Sequence, residues 1–76
     1  MNKTELQEKL SRENVDSTSY SLNGGLPNEA YCLSENNGQW EVYYSERGSK
    51  SGLKLFDNED DACDYFYSLF QKRGIN

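Results

Sequence analysis

The side chains that could carry out chemistry are few, and their types and spacing fit no common reactive site. The 76-residue chain contains no histidine and two cysteines, Cys32 and Cys63. A nucleophile needs a base within hydrogen-bonding reach and a group that orients that base, and no such triad can be assembled. Two thiols without histidine match no zinc spacing, and no EF-hand loop is present. We therefore predict a protein that is not an enzyme and holds no metal or cofactor, with both cysteines as small buried hydrophobic residues.

Carboxylates form one dense cluster, which could indicate a divalent-cation site: Asp57, Glu59, Asp60, Asp61 and Asp64. These acids fall in the first turns of a predicted helix, where the helix dipole favours negative charge. Helix capping is therefore the favoured interpretation. The glycines at 24–25 and 48–52 lack the lysine and hydroxyl ending of a phosphate-binding loop, so we interpret them as turns.

The composition favours a small acidic domain. The net charge is -5, the isoelectric point is near 4.5 and the mean hydropathy is -1.00. Negative charge repels phosphate backbones and anionic membrane surfaces, so we expect neither nucleic acid nor membrane as a partner. The first residues contain no apolar stretch typical of a signal peptide or a membrane span, so we expect a cytoplasmic protein.

The N-terminal region, residues 1–15, is predicted to hold a helix over residues 3–13, capped by Asn2 or Thr4. Its apolar stripe consists of only Leu6 and Leu10, so we expect this helix to dock weakly. Tyr20 and Leu22 alternate with serine and asparagine as in a short strand.

The clearest feature is a hairpin of residues 29–35 and 39–46 around Asn36-Asn37-Gly38. A two-residue loop would place Tyr31, Leu33, Val42 and Tyr44 on one face, whereas a three-residue loop would pair Ala30 and Cys32 with Val42 and Tyr44. The sequence leaves both alternatives open. In either case Trp40, Val42 and Tyr44 form the better core face, and Glu41, Tyr43, Ser45 and Arg47 lie on the opposite, outer face.

The remaining chain predicts a polar loop over residues 46–52, a short strand over 53–56 and a helix over 57–73. The helix is capped by Asp57 and ends before Gly74, and its apolar stripe contains Ala62, Phe66, Leu69 and Phe70. We therefore predict one α+β domain, residues 1–76. It consists of the N-terminal helix, a three- to four-stranded antiparallel β-meander over residues 19–56, and the C-terminal helix packed on one sheet face.

Residues 26–70 resemble small bacterial immunity proteins that accompany polymorphic and contact-dependent toxins. The likeness is carried by the run WEVYYSERG (40–48), by Phe56 and by DACDYF (61–66). It implies a cytoplasmic protein that binds a cognate toxin domain and neutralises it without catalysis. Toxin nucleases are commonly basic because they engage phosphates, which suits an acidic binder. The alternative is a small regulatory or adaptor protein of a mobile element that binds a host protein.

Two surfaces are candidates for contact with a basic partner. We expect the outer sheet face to present Tyr43 as an aromatic anchor beside Glu41, with Ser45 and Arg47 continuing toward the turn that holds Glu46. The alternative is that Tyr43 belongs to a cross-strand pair of tyrosines that only stabilises the sheet. The second surface is the acidic helix start, with Asp60, Asp61 and Asp64. An exposed edge on so short a sheet is compatible with a monomer or a weak homodimer.

Overall fold

A computed structural model describes residues 1–73, with side chains described up to Gln71, and confirms the α+β class. Two helices pack against one face of a four-stranded sheet. The predicted helix end at Gly74 lies outside the described residues. In chain order the elements are α1 (Lys3–Arg12), a 3-10 turn (Ser17–Ser19), β1 (Tyr20–Ser21), β2 (Ala30–Asn36), β3 (Gln39–Glu46), β4 (Ser49–Phe56) and α2 (Glu59–Arg73).

The sheet is mixed, with strand order β1-β2-β3-β4. The pairs β2–β3 and β3–β4 are antiparallel as expected. The expectation of a purely antiparallel meander is wrong for β1, which runs parallel to β2 with Tyr20 opposite Tyr31. The reason is the connection over residues 22–29, which returns the chain to the end of the sheet where β1 began. Gly24 and Gly25, at φ 72° and 86°, permit this path because glycine has no Cβ.

The β2–β3 turn has two residues, Asn37 and Gly38, at φ 55° and 83°. Positive φ at both positions is typical of the type I′ turn that suits a twisted hairpin. Because Asn36 lies opposite Gln39, the structure selects the first of the two open alternatives. One face therefore carries Tyr31, Leu33, Val42 and Tyr44.

Strand β4 is longer than expected, and the predicted loop over residues 46–52 is wrong. The β3–β4 connection is a second two-residue turn, Arg47-Gly48, at φ 52° and 77°. An extra residue lies between Ser51 and Lys54, which oppose Tyr44 and Val42, and Gly52 in this bulge has φ 63°. The prediction failed because β4 is an edge strand with seven of its eight residues exposed, and its first four residues, SKSG, include no apolar side chain that would mark a strand.

Helix α2 packs on the sheet face predicted for it. Phe66 is fully buried, and Phe70 is 9% exposed, in a cluster with Leu33 and Val42 of the sheet. The Phe70 ring contacts the Tyr31 ring edge-on at a centroid distance of 5.6 Å. The core therefore lies between α2 and the centre of the sheet.

Helix α1 is also part of this core, so the expectation of weak docking is wrong. Leu6 and Leu10 are fully buried. Helix α1 runs parallel to α2: the Lys3 backbone N–H donates to Glu59 at 2.7 Å, and Gln71 donates to Glu13 at 2.9 Å. Hydrogen bonds to α2 supplement the contacts of the two leucines of α1. The apolar pattern of α1 alone does not reveal these bonds, because they depend on residues of a distant helix.

The helix caps match the sequence in part. Asn2 caps α1 and forms the expected capping box with Glu5. The cap of α2 is Asn58 rather than Asp57, since the Asp61 backbone N–H donates to the Asn58 side chain at 2.8 Å. Asp57 lies one position too early for that role.

Candidate functional site

Much of the predicted outer-face surface is covered by the chain itself. Tyr43 is 2% exposed and Ser45 is fully buried, so the expected exposure of both residues is wrong. Residues 22–29, here called the covering loop, cross this face. The Tyr43 hydroxyl donates to the Gly25 carbonyl at 2.7 Å, and the Ser45 hydroxyl donates to the Pro27 carbonyl at 2.6 Å. The segment looked like a solvated linker because its Ser, Asn and Gly residues cover the sheet with backbone rather than with apolar side chains.

Glu41 also lies in an internal contact. Its carboxylate pairs with Lys50 at 3.4 Å, and only 16% of its side chain is exposed. The Lys50 ammonium lies 4.5 Å from the centre of the Tyr43 ring. Burial raises the pKa of Tyr43 to about 12, so its hydroxyl stays protonated and serves as a donor to the covering loop. Glu41, Tyr43 and Ser45 thus hold the outer face together.

Glu46 and Arg47 are exposed at the β3–β4 turn. Glu46 lies two residues after Tyr44 on β3, so it projects from the face that carries the helices. Arg47 occupies the first position of the turn. Of the outer-face candidates, these two residues are therefore the ones available to a partner.

Asp60, Asp61 and Asp64 are exposed in the first turns of α2. Asp61 belongs to the helix cap, with the Asn58 side-chain amide donating to its carboxylate at 3.2 Å. Asp60 and Asp64 contact the Met1 amino group. Within residues 1–73, no three carboxylates or thiols gather in a group that could hold a metal ion.

A groove of about 330 Å³ lies between α2 and the sheet, along parts of β3 and β4 that the helix does not cover. Helix α2 contributes Tyr65 and Leu69 to its wall, and the small residues of the β4 bulge leave the space that larger side chains would fill. We call it the tyrosine groove; its lining includes Tyr31, Tyr44, Ser51, Gly52, Tyr65 and Leu69.

The aromatic walls of the groove are held in place by the core. Tyr31, Tyr44 and Tyr65 are all half-buried. The Tyr31 and Tyr44 rings meet edge-on at a centroid distance of 4.9 Å, and the Tyr65 ring packs against Phe56 at 5.4 Å. Because these rings stand on strands and a helix, the groove is formed before any partner arrives.

Charged residues follow or precede the groove residues on the same strands and helix. Glu46 follows Tyr44 on the same face of β3, and Asp61 lies one helical turn before Tyr65 on α2. On the β4 side, the Lys54 ammonium lies 5.7 Å from the centre of the Tyr65 ring. The groove therefore offers aromatic faces and hydroxyl groups, with a carboxylate beyond each of two walls, which suits it to hold a protruding cationic or amphipathic side chain.

Sequence reasoning placed Glu46 and Asp61 among the site residues but missed the groove between them. The available signal was the two-residue alternative for the hairpin, which puts Tyr31 beside Tyr44. The bulge at Gly52 gave no such signal, because a glycine in a polar segment also fits a loop.

The two thiols are chemically protected. Cys32 and Cys63 are fully buried and unpaired. Burial raises the pKa of Cys63 to about 11 and also raises the pKa of Cys32. We expect both thiols of the native protein to react with Ellman's reagent at pH 8 only at the rate of unfolding, whereas both should react at once in concentrated urea. Rapid stoichiometric modification without denaturant would show that these thiols are accessible.

No protein-family model, curated protein or solved structure matches the chain. Among the helices of residues 1–73, none is both long and apolar enough to cross a membrane.

Proposed function

We propose that this chain is a non-catalytic protein-binding domain, an immunity protein that binds a cognate bacterial toxin domain in the cytoplasm and neutralises it. The single observation that carries the proposal is the tyrosine groove, a preformed aromatic cleft with carboxylates beyond it on two walls. The resemblance of residues 26–70 to immunity proteins of toxin systems points in the same direction and names the class of partner.

The groove has the chemistry of a protein interface. Tyrosine is enriched among the residues that dominate binding energy, because its ring supplies contact area and its hydroxyl supplies a hydrogen bond at little cost in conformational entropy. Tyr31, Tyr44 and Tyr65 present such rings on rigid elements. An arginine or lysine side chain of the partner would lie against the Tyr31 and Tyr44 rings, with its charge directed toward Glu46, because the Lys54 ammonium already stands over the Tyr65 ring.

The charge of the chain supports a basic partner. With a net charge of -5, the protein would attract a basic toxin surface over a distance of about one Debye length, roughly 8 Å at physiological salt. Such steering raises the association rate more than the affinity. Rising salt should therefore slow association while leaving dissociation nearly unchanged.

The proposal is tested by co-expression with the C-terminal domain of a large secreted protein encoded next to this chain. Cells that make this domain alone should stop growing, and cells that also make the chain should grow. Failure of the chain to protect, or failure of the two purified proteins to form a complex, would overturn the proposal. Neighbouring genes for phage structural or regulatory proteins would instead favour the adaptor alternative.

Substitutions in the tyrosine groove should weaken the complex without unfolding the protein. We expect Tyr44→Ala combined with Glu46→Lys to reduce the binding free energy by about 2 kcal/mol or more, since it removes an aromatic wall and reverses a charge. Isothermal titration calorimetry with the toxin domain measures the change, and urea denaturation checks the fold.

The matched control for the charge reversal is Glu8→Lys, which changes the net charge equally at an exposed position of α1. It should slow association slightly and leave dissociation unaltered. An affinity lost equally in the groove variant and in this control would assign the effect to overall charge and place the interface away from the groove.

A further inference from the structure

Strand β4 forms a long free edge of the sheet. In the described part of the chain it pairs with β3 alone, and seven of its eight residues are exposed. The opposite edge, β1, is two residues long. An exposed edge presents a row of backbone donors and acceptors that another strand can pair with. The residues Ser49–Phe56 are therefore the main place where this sheet can be extended.

Two leucines at alternate positions of β4 are exposed to solvent beside this edge. Leu53 is 48% exposed and Leu55 is 53% exposed. Leu55 lies opposite Glu41, so both leucines project from the outer face of the sheet. Hydrogen bonds tie the covering loop to β3, and the leucines on β4 remain half exposed. Such spacing matches a partner strand with apolar side chains at every second position.

The edge is basic, although the protein is acidic. Arg47, Lys50 and Lys54 lie between Glu46 and Asp57, and this stretch contains no acidic residue. Lysines on an exposed edge strand discourage indiscriminate pairing with other strands. They favour a partner strand that carries carboxylates opposite them, because cross-strand pairs of opposite charge stabilise a sheet.

A second copy of this chain is a poor occupant of the edge. Antiparallel pairing of two β4 strands that sets Leu53 against Leu55 also sets Lys54 against Lys54. Like charges directly opposite each other destabilise a sheet. The register centred on Leu53 avoids this contact, but it sets Leu55 against Ser51 and leaves one pair of leucines in contact.

We propose that β4 is a docking edge for an acidic, extended segment of a partner protein, which pairs with it as a fifth strand. Apolar side chains of the segment pack on Leu53 and Leu55, and its carboxylates lie opposite Lys54 and beside Arg47 at the β3–β4 turn, since Lys50 already pairs with Glu41. Ser51 and Gly52 of β4 also line the tyrosine groove, but the docking edge requires a partner segment of the opposite charge and uses backbone pairing.

Selection of displayed random peptides, about ten residues long, against the intact chain tests the proposal. The enriched peptides should alternate acidic and apolar residues. A synthetic peptide of the enriched sequence should bind the double variant Leu53→Lys, Leu55→Lys at least about tenfold more weakly. Lys54→Glu should weaken its binding as well. The control Leu26→Lys changes an equally exposed leucine that belongs to the covering loop and not to β4, and it should have no effect.

Enrichment of basic peptides, no enrichment, or peptides that bind all these variants equally would overturn the proposal. Analytical ultracentrifugation of the chain alone tests whether a second copy occupies the edge. It should show a monomer, whereas a dimer that Leu53→Lys abolishes would make a second copy the occupant of the edge. None of these outcomes depends on a toxin domain, so the proposal and the proposed function can fail separately.

Discussion

Replacing Phe66 with alanine should lower the free energy of unfolding by about 3–5 kcal/mol. Phe66 is fully buried where α2 meets the sheet, and its ring lies 5.5 Å from that of Phe70. The substitution leaves a cavity that the surrounding strands cannot close. Since a small domain is stable by only about 5 kcal/mol or slightly more, this variant should keep no more than about 2 kcal/mol of stability, so that a measurable fraction of its molecules is unfolded at room temperature.

Urea denaturation followed by the fluorescence of Trp40 and by circular dichroism measures this loss. Leu55→Ala is the control, because Leu55 is 53% exposed and its truncation should change stability by about 0.5 kcal/mol or less. A Phe66→Ala variant as stable as this control would contradict the placement of α2 over the sheet.

Leu10→Ala should destabilise the protein by about 2–5 kcal/mol, nearly as much as the change at Phe66. Leu10 is fully buried in the same cluster as Phe66, so α1 should unfold together with the sheet in one cooperative transition. The measurement is again urea denaturation, with both the midpoint and the slope of the transition compared with those of the unaltered protein.

Glu8→Ala provides the matched control on α1, since Glu8 is exposed on the same helix. It should leave the midpoint nearly unchanged. If Leu10→Ala also left the midpoint unchanged, α1 would be an appendage to the domain and its contacts with α2 would carry no stability.

The features that sequence predicted well are those fixed by local chemistry. Asn37-Gly38 between two apolar runs specifies the β2–β3 hairpin, because both residues tolerate positive φ. The apolar spacing of Ala62, Phe66 and Phe70 specifies α2 and its buried face. In both cases a few neighbouring residues determine the outcome.

The features that sequence missed depend on contacts between distant segments. Tyr43 looked like an exposed anchor, but the Gly25 carbonyl of the covering loop accepts its hydrogen bond. The first half of strand β4, residues 49–52, looked like a loop because an exposed edge strand needs no apolar residues. The tyrosine groove combines both effects, since it requires the register of β2 with β3 and the bulge at Gly52. No local pattern encodes such a combination.

We propose that this protein binds its partner through the tyrosine groove. Titration of the isotopically labelled chain with the unlabelled toxin domain, followed by amide nuclear magnetic resonance spectra, tests it most directly. The claim predicts the largest shifts at Tyr44, Ser51, Tyr65 and Leu69. Shifts confined to the exposed face of α1 or to the covering loop, with these four amides unchanged, would contradict it.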